Sequence, residues 1–434
     1  MPHPGKPDKI DRRTISLLGG FCFLLSALEY MIPRPVPFFR LGLSNIPLLL
    51  ALDIMPFSSF MLLGAIKVIG QALISGTLFS YVFLFSLGGT GVSIFFMYIL
   101  RRGLGKERIS LLGVSTAGAL TSNGAQLVLA YFFVFGSSIR YAAVPILTLG
   151  VVTGMILGLG CEYFIRRSRW YASRVLSADT STEIHTEIHT EIIADTAAGN
   201  SGKPEKIEKL EMKRKTVSGM ERFRKSRESF CLKNFSSFEL AIAGLLMMPA
   251  LLLNPDTYMR IIQFAIFYAI AWLSGKRNNV LLTFLVILGI VVFNLLVPYG
   301  ELLFSIGPLK VTQGALLAGI GRAVTLEGLV MLSRSCVRRD LRFPGVFGEI
   351  VGESFRVFAM AAEEKHLFTR KNWAERLDGL LISYGTDRAG SDKEAVNGTA
   401  PSPLQGRNRV SKIILVSAVI LAWLPLLIRV CLRL

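Results

Sequence analysis

Acidic residues are scarce in this chain: 30 Asp and Glu stand against 48 Lys and Arg, and charged residues are only 18% of the 434. Asp53, Asp179, Asp195, Asp256, Asp340, Asp378 and Asp387 are isolated from one another, so there is no aspartate-rich cluster to hold a divalent cation. Histidine is nearly absent, with 4 residues, and the 5 cysteines (Cys22, Cys161, Cys231, Cys336, Cys431) form no CxxC pair. No metal site is expected. A Walker A sequence is also missing, so ATP hydrolysis would have to come from another polypeptide. The chain carries no recognisable catalytic motif.

What is abundant is apolar. Hydrophobic residues make up 52% of the chain, and runs of about 17 to 25 of them recur, the length that crosses a bilayer as a helix. Continuous runs rather than alternation exclude a β-barrel. The expected class is an all-α polytopic membrane protein. The net charge of +18 gathers in the polar connections, which fits retention of positive charge on the cytoplasmic side better than nucleic-acid binding. Lys6, Lys9, Arg12 and Arg13 precede an apolar run as in a signal peptide. No small-residue cleavage site follows, so the run is read as a mature span.

Six spans are expected near 14–32, 41–55, 57–75, 80–100, 110–135 and 141–165, the second short and tilted or re-entrant. Arg101, Arg102, Lys106, Arg108, Arg166, Arg167 and Arg169 fall on the same side as the N-terminus, which the positive-inside rule makes cytoplasmic. Residues 166–236 read as a cytoplasmic, low-complexity basic linker with a duplicated tetrapeptide between Thr182 and Ile193. His185 and His189, four apart within it, are read as part of that repeat and not as metal ligands. Five more spans are expected near 237–253, 257–274, 279–297, 311–333 and 411–428, with a re-entrant stretch around Pro298–Pro308. A polar cytoplasmic segment, 334–410, precedes the last of them. Its Val346, Ile350, Phe355, Phe358 and Leu367 recur at helical spacing and predict amphipathic helices on the inner membrane face.

Polar groups inside spans are costly and mark function by default. Lys67 lies about ten residues into the third span, near mid-membrane, and Gln71 is one turn further on the same face. Asn123 and Gln126 share a face of the fifth span, and Asn45 opens the second. Before it, Pro33 to Asn45 is stiffened by three prolines and carries Arg34 and Arg40. It reads as an outward-facing lip above those groups. Arg40, Asn45, Lys67, Gln71, Asn123 and Gln126 together outline a pocket for a small polar or anionic ligand. The amides have an equally good second reading as bonds between helices. Gly150, Gly154 and Gly158, four apart, form a helix-packing face, either within this bundle or against the second half of the chain.

Three runs carry a resemblance: Phe39-Arg-Leu-Gly-Leu-Ser-Asn45, Leu73-Ile-Ser-Gly-Thr-Leu-Phe-Ser80 and Leu112-Gly-Val-Ser-Thr-Ala-Gly-Ala-Leu-Thr-Ser-Asn-Gly-Ala-Gln126. They resemble the Gx transporter family, also labelled heptaprenyl diphosphate synthase component I, which is similar to the substrate-binding S components of energy-coupling factor (ECF) transporters. The resemblance implies a six-helix S-component-like bundle over 1–165, with ligand held under the first connection. Residues 237–434, with Leu309-Lys-Val-Thr-Gln-Gly-Ala-Leu-Leu-Ala-Gly-Ile-Gly-Arg322, more loosely resemble the ECF T component. That implies coupling to cytoplasmic ATPases, which would use ATP while this chain holds no cofactor. The Ala-Arg-Gly/Ser coupling motifs of that family are not intact; Arg338, Arg339, Arg342 and Arg356 stand in their region. The expectation is therefore a transport protein of the bacterial cytoplasmic (inner) membrane, with its N-terminus inside, a small vitamin- or cofactor-precursor-like substrate and separate ATPases. The alternative is a membrane component of heptaprenyl or polyprenyl diphosphate synthesis.

Overall fold

The computed structural model describes residues 9–31, 42–105, 107–179, 219–276, 279–307, 309–338, 341, 343–363, 373–385 and 409–432. Arg40, Arg339, Arg342, the His185/His189 repeat and the prolines of the expected lip lie outside the described residues.

Helix α1 (Lys9–Met31) leads to a 3-10 turn at Leu43–Asn45 and a short α2 (Ile46–Ala51) with Pro47 in its first turn. Four long helices follow: α3 (Phe57–Ser75), α4 (Tyr81–Leu104), α5 (Leu111–Ala130, extended by a π turn at Tyr131–Phe135) and α6 (Ile139–Ile165). Then come α7 (Arg169–Asp179), α8 (Gly219–Asn234), α9 (Ser237–Leu252), α10 (Thr257–Leu273) and α11 (Val280–Leu295). A hairpin of β1 (Leu302–Ile306) and β2 (Leu309–Thr312) leads into α12 (Gln313–Cys336), α13 (Gly345–Glu363), α14 (Trp373–Gly385) and α15 (Arg409–Leu432). The protein is an all-α polytopic membrane fold apart from that antiparallel hairpin. It occupies the stretch expected to be re-entrant, where Gly300 (φ 84°) and Gly307 (φ 57°) supply left-handed backbone.

Five of the described helical stretches are long and apolar enough to cross a membrane: α3, α4, the α5–α6 stretch Leu111–Ile165, α12 and α15, or six if the bent pair α8/α9 counts as one. Eleven spans were expected. α10 and α11 are shorter apolar helices, and the expected second span is the six-residue α2 with its preceding turn. Lipid-like faces are plain on α4 to α6, where Phe96, Phe132, Val144 and Ile156 are at least half exposed.

The amphipathic α13 packs its apolar face on α1. It runs alongside α1 in the same sense: Ser16 Oγ donates to Glu353 Oε2 (2.8 Å), Gly19 and Gly20 meet Ser354 and Val357, and the Phe23 and Phe355 rings sit 4.7 Å apart. A Cβ on Gly20 would stand 2.6 Å from Val357 Cβ, so this approach requires glycine. Helical periodicity correctly marks one face of α13 for burial, but Ile350 and Val351 join the core of α1 to α3 instead of facing lipid, while Val346 stays 45% exposed.

Helix α14 docks on α7. Asp378 accepts from the backbone N–H groups of Arg169 and Trp170 (both 3.1 Å) and from the Ser168 hydroxyl, so a residue of the expected 334–410 segment caps a helix 200 residues earlier in the chain. Asp378→Ala should lower stability by about 2 kcal/mol, the scale of charge-assisted bonds lost at a buried carboxylate, with Asp378→Asn in between. Thermal unfolding of the detergent-solubilised chain measures this, and an unchanged midpoint for the alanine variant would discount the contact.

Helix α12 crosses one end of the first bundle. The α3–α4 turn meets it at Ser333, whose Oγ accepts from Phe79 N (3.0 Å), and Arg334 packs on Gly76. At the α5–α6 turn, Arg322 Nη1 donates to Asn294 Oδ1 (2.7 Å), Asn294 donates to Val134 O (3.3 Å), and the same guanidinium lies against Gly136. Both turns belong to the same end of the bundle, yet they meet α12 at positions roughly 16 Å apart along its axis. A helix touched in that way lies across the bundle end. Charge counting expects the Gly76 turn outside and Arg334 inside, yet the two lie in contact here.

Candidate functional site

Lys67 is 4% exposed in the middle of α3, and its Nζ donates to Asn45 Oδ1 and, at 3.5 Å, to Thr90 Oγ1 on α4. Asn45 reaches it because the chain enters the bundle here. Gly42 adopts φ 80°, its N–H donates to the buried Glu29 Oε1 (3.0 Å), and the tight turn that follows presents Asn45 one residue before α2. Glu29 is thus a positioning contact for the pocket segment.

Around Lys67 is a cavity of about 60 Å³. Gln71 lines it one turn beyond the lysine, and Asn123 and Gln126 line it from α5. Asn45, Lys67, Gln71, Asn123 and Gln126, five of the six sequence candidates, therefore share one cavity; the sixth, Arg40, is outside the described residues. The amides also bond between and along helices. Asn123 Nδ2 donates to Ile146 O on α6 (3.2 Å) and Gln126 Nε2 to Ser122 Oγ (3.1 Å), so these residues line the cavity and also make protein hydrogen bonds.

Sequence reasoning missed the hydroxyl wall. Ser86, Thr90 and Ser93 recur at four and three residues along α4, Ser115 and Ser122 lie on α5, and Thr153 on α6. The spacing was a usable signal, because i, i+4, i+7 marks one helix face. Small residues let these helices close: a Cβ on Gly118 would meet Met97 Sδ at 2.6 Å, and Ser93 Oγ donates to Gly118 O (2.8 Å).

The Gly150/Gly154/Gly158 face packs within the bundle and not against the second half. Cβ atoms at Gly154 and Gly158 would stand 2.9 Å and 2.5 Å from the Cα atoms of Thr116 and Leu112 on α5, and Gly150 faces Asn123. Close backbone approach uses up that face, leaving no room for a partner helix. Of the coupling candidates, Arg338 Nη1 donates to Phe235 O (2.9 Å) and secures the α8–α9 bend, whereas Arg356 is exposed on α13.

At the basic end of the bundle, Arg101 forms a two-pronged pair with Asp53: Nε to Oδ1 at 3.0 Å and Nη2 to Oδ2 at 2.8 Å. Arg101 also donates to Ile109 O, and the Tyr171 hydroxyl donates to Asp53 Oδ2 (3.4 Å). Burial, with the Asp53 charge adding to it, pushes the Tyr171 phenol well above its ordinary range, so it stays a neutral donor. This cluster fixes the end of the segment that begins at Asn45.

No curated protein and no solved structure matches the chain. Residues 238–339 match a domain of unknown function. Residues 18–164, which contain every lining residue of the pocket, match the model of the family described as heptaprenyl diphosphate synthase component I.

Proposed function

We propose that the chain is a membrane transport protein in which the pocket around Lys67 binds a small solute and α13 and α14 transmit work from separate ATPases to the bundle. The observation that carries this reading is the convergence of Lys67 and four amides from separate parts of the sequence on one buried cavity. A buried ammonium surrounded by amides and hydroxyls recognises ligand more readily than it stabilises a fold, because desolvating it is costly. The packing of α13 along α1 supports the second part, since α1 carries the Glu29 contact that sets Gly42 and Asn45. The ECF-like division into 1–165, 166–236 and 237–434, with exposed Arg356 as an ATPase contact, belongs to this proposal. So do the bacterial inner membrane and the cytoplasmic N-terminus.

A second reading rests on the family description: a membrane component of polyprenyl diphosphate synthesis. It requires a soluble, aspartate-rich partner, because no group of three or more His, Cys, Asp or Glu able to hold a metal occurs among the described residues. Affinity purification of the full chain from its native membrane separates the two. ATPase subunits are expected to accompany it. Recovery of a prenyl synthase subunit instead would select the second reading, and recovery of neither would leave only a transporter without ATPases.

A further inference from the structure

We infer that the Lys67 pocket is built for a small, hydroxyl-bearing, non-aromatic monoanion, an inference that rests on the binding role proposed above. The chemistry of the walls carries it. Among the described lining residues Lys67 is the only charged one, and none of them carries a carboxylate, imidazole or aromatic ring. The one charge on the described walls is positive, which favours an anion over an amine. One ammonium matches one negative charge: an incoming carboxylate would compete with Asn45 Oδ1 for Lys67 through a stronger, charge-assisted bond. Four amides and the hydroxyls of α4, α5 and α6 donate and accept in turn, which suits ligand hydroxyls.

The same walls exclude other classes. A flat heterocycle finds no ring among the described lining residues to stack on. A prenyl diphosphate brings several negative charges and an apolar tail, against described walls that offer one lysine, no acid to hold magnesium, and Leu49, Met97 and Leu157 as the large apolar residues. The cavity of about 60 Å³ is small for such a tail. If the bundle serves polyprenyl synthesis, this pocket does not hold the prenyl chain.

The test is thermal unfolding of the purified full chain with a panel: D-glycerate, lactate, glycerol, ethanolamine, nicotinate and isopentenyl diphosphate. Glycerate is expected to stabilise most and lactate less, with the other four inactive. Lys67→Met should weaken glycerate at least about tenfold, the loss of one bond to a charged group, and Lys67→Arg should retain part of it. Should Lys67→Met not survive purification, Thr90→Val keeps the shape and should still cost severalfold. A Lys67-dependent response to ethanolamine, nicotinate or isopentenyl diphosphate overturns the ligand class while leaving the pocket standing, as does a panel in which neither glycerate nor lactate acts. A glycerate response indifferent to Lys67 and Thr90 overturns the pocket itself.

Discussion

Gly20→Leu is expected to cut energised uptake by more than about tenfold while the Lys67 pocket still binds its ligand. The leucine would occupy space held by Val357 Cβ and the Ser354 carbonyl, 2.6 and 2.9 Å from the Cβ position. Overpacking of that kind costs about 1–3 kcal/mol, enough to lift α13 from α1. Gly20 is not among the residues that line the pocket, and the three atoms nearest to a Cβ placed on it all belong to α13. Val357→Gly in the same chain should restore part of the uptake by reopening the space. Uptake in vesicles and ligand-induced thermal stabilisation, measured on the same variants, read the two functions apart. If Gly20→Leu transports normally, α13 carries no work to the bundle; if it also loses binding, the two halves are not separable in this way.

Some of this was visible in the sequence and some was not, for physical reasons that differ by residue. Lys67, Gln71, Asn123 and Gln126 stand out because ionisable and amide groups are rare inside apolar runs. Ser86, Thr90 and Ser93 do not, since a helical hydroxyl commonly satisfies itself on the i−4 carbonyl, as Thr116 does with Leu112 O (2.8 Å). Periodicity reports that α13 buries a face but is silent on what covers it, and α1 looks as apolar as lipid to such a count. The glycines of α6 call for close approach without naming the neighbour, which proves to be α5. Charge counting assumes that every span stands upright. The contact of Arg334 with Gly76 joins two groups that such counting puts on opposite sides.

Arg101→Met should be among the most destabilising single changes in the bundle, at about 3–5 kcal/mol, because it strands the Asp53 carboxylate where water does not reach. Both side chains are under a tenth exposed, and the pair ties α2, α4 and α7 together. Asp53→Leu should be comparably costly, since the guanidinium keeps only the Ile109 carbonyl among its described partners. The double variant Arg101→Met/Asp53→Leu should recover most of that loss, because a buried ion pair replaced by apolar side chains of similar volume often costs little. Chemical denaturation in detergent gives the four corners of the cycle, and single losses below about 1 kcal/mol would mean that the pair is no stronger than one in water. Ligand affinity adds the functional reading. Asp53 anchors the far end of the segment that begins at Gly42 and Asn45, so the double variant should regain stability yet bind more weakly, its Asn45 no longer held at a fixed distance from Lys67.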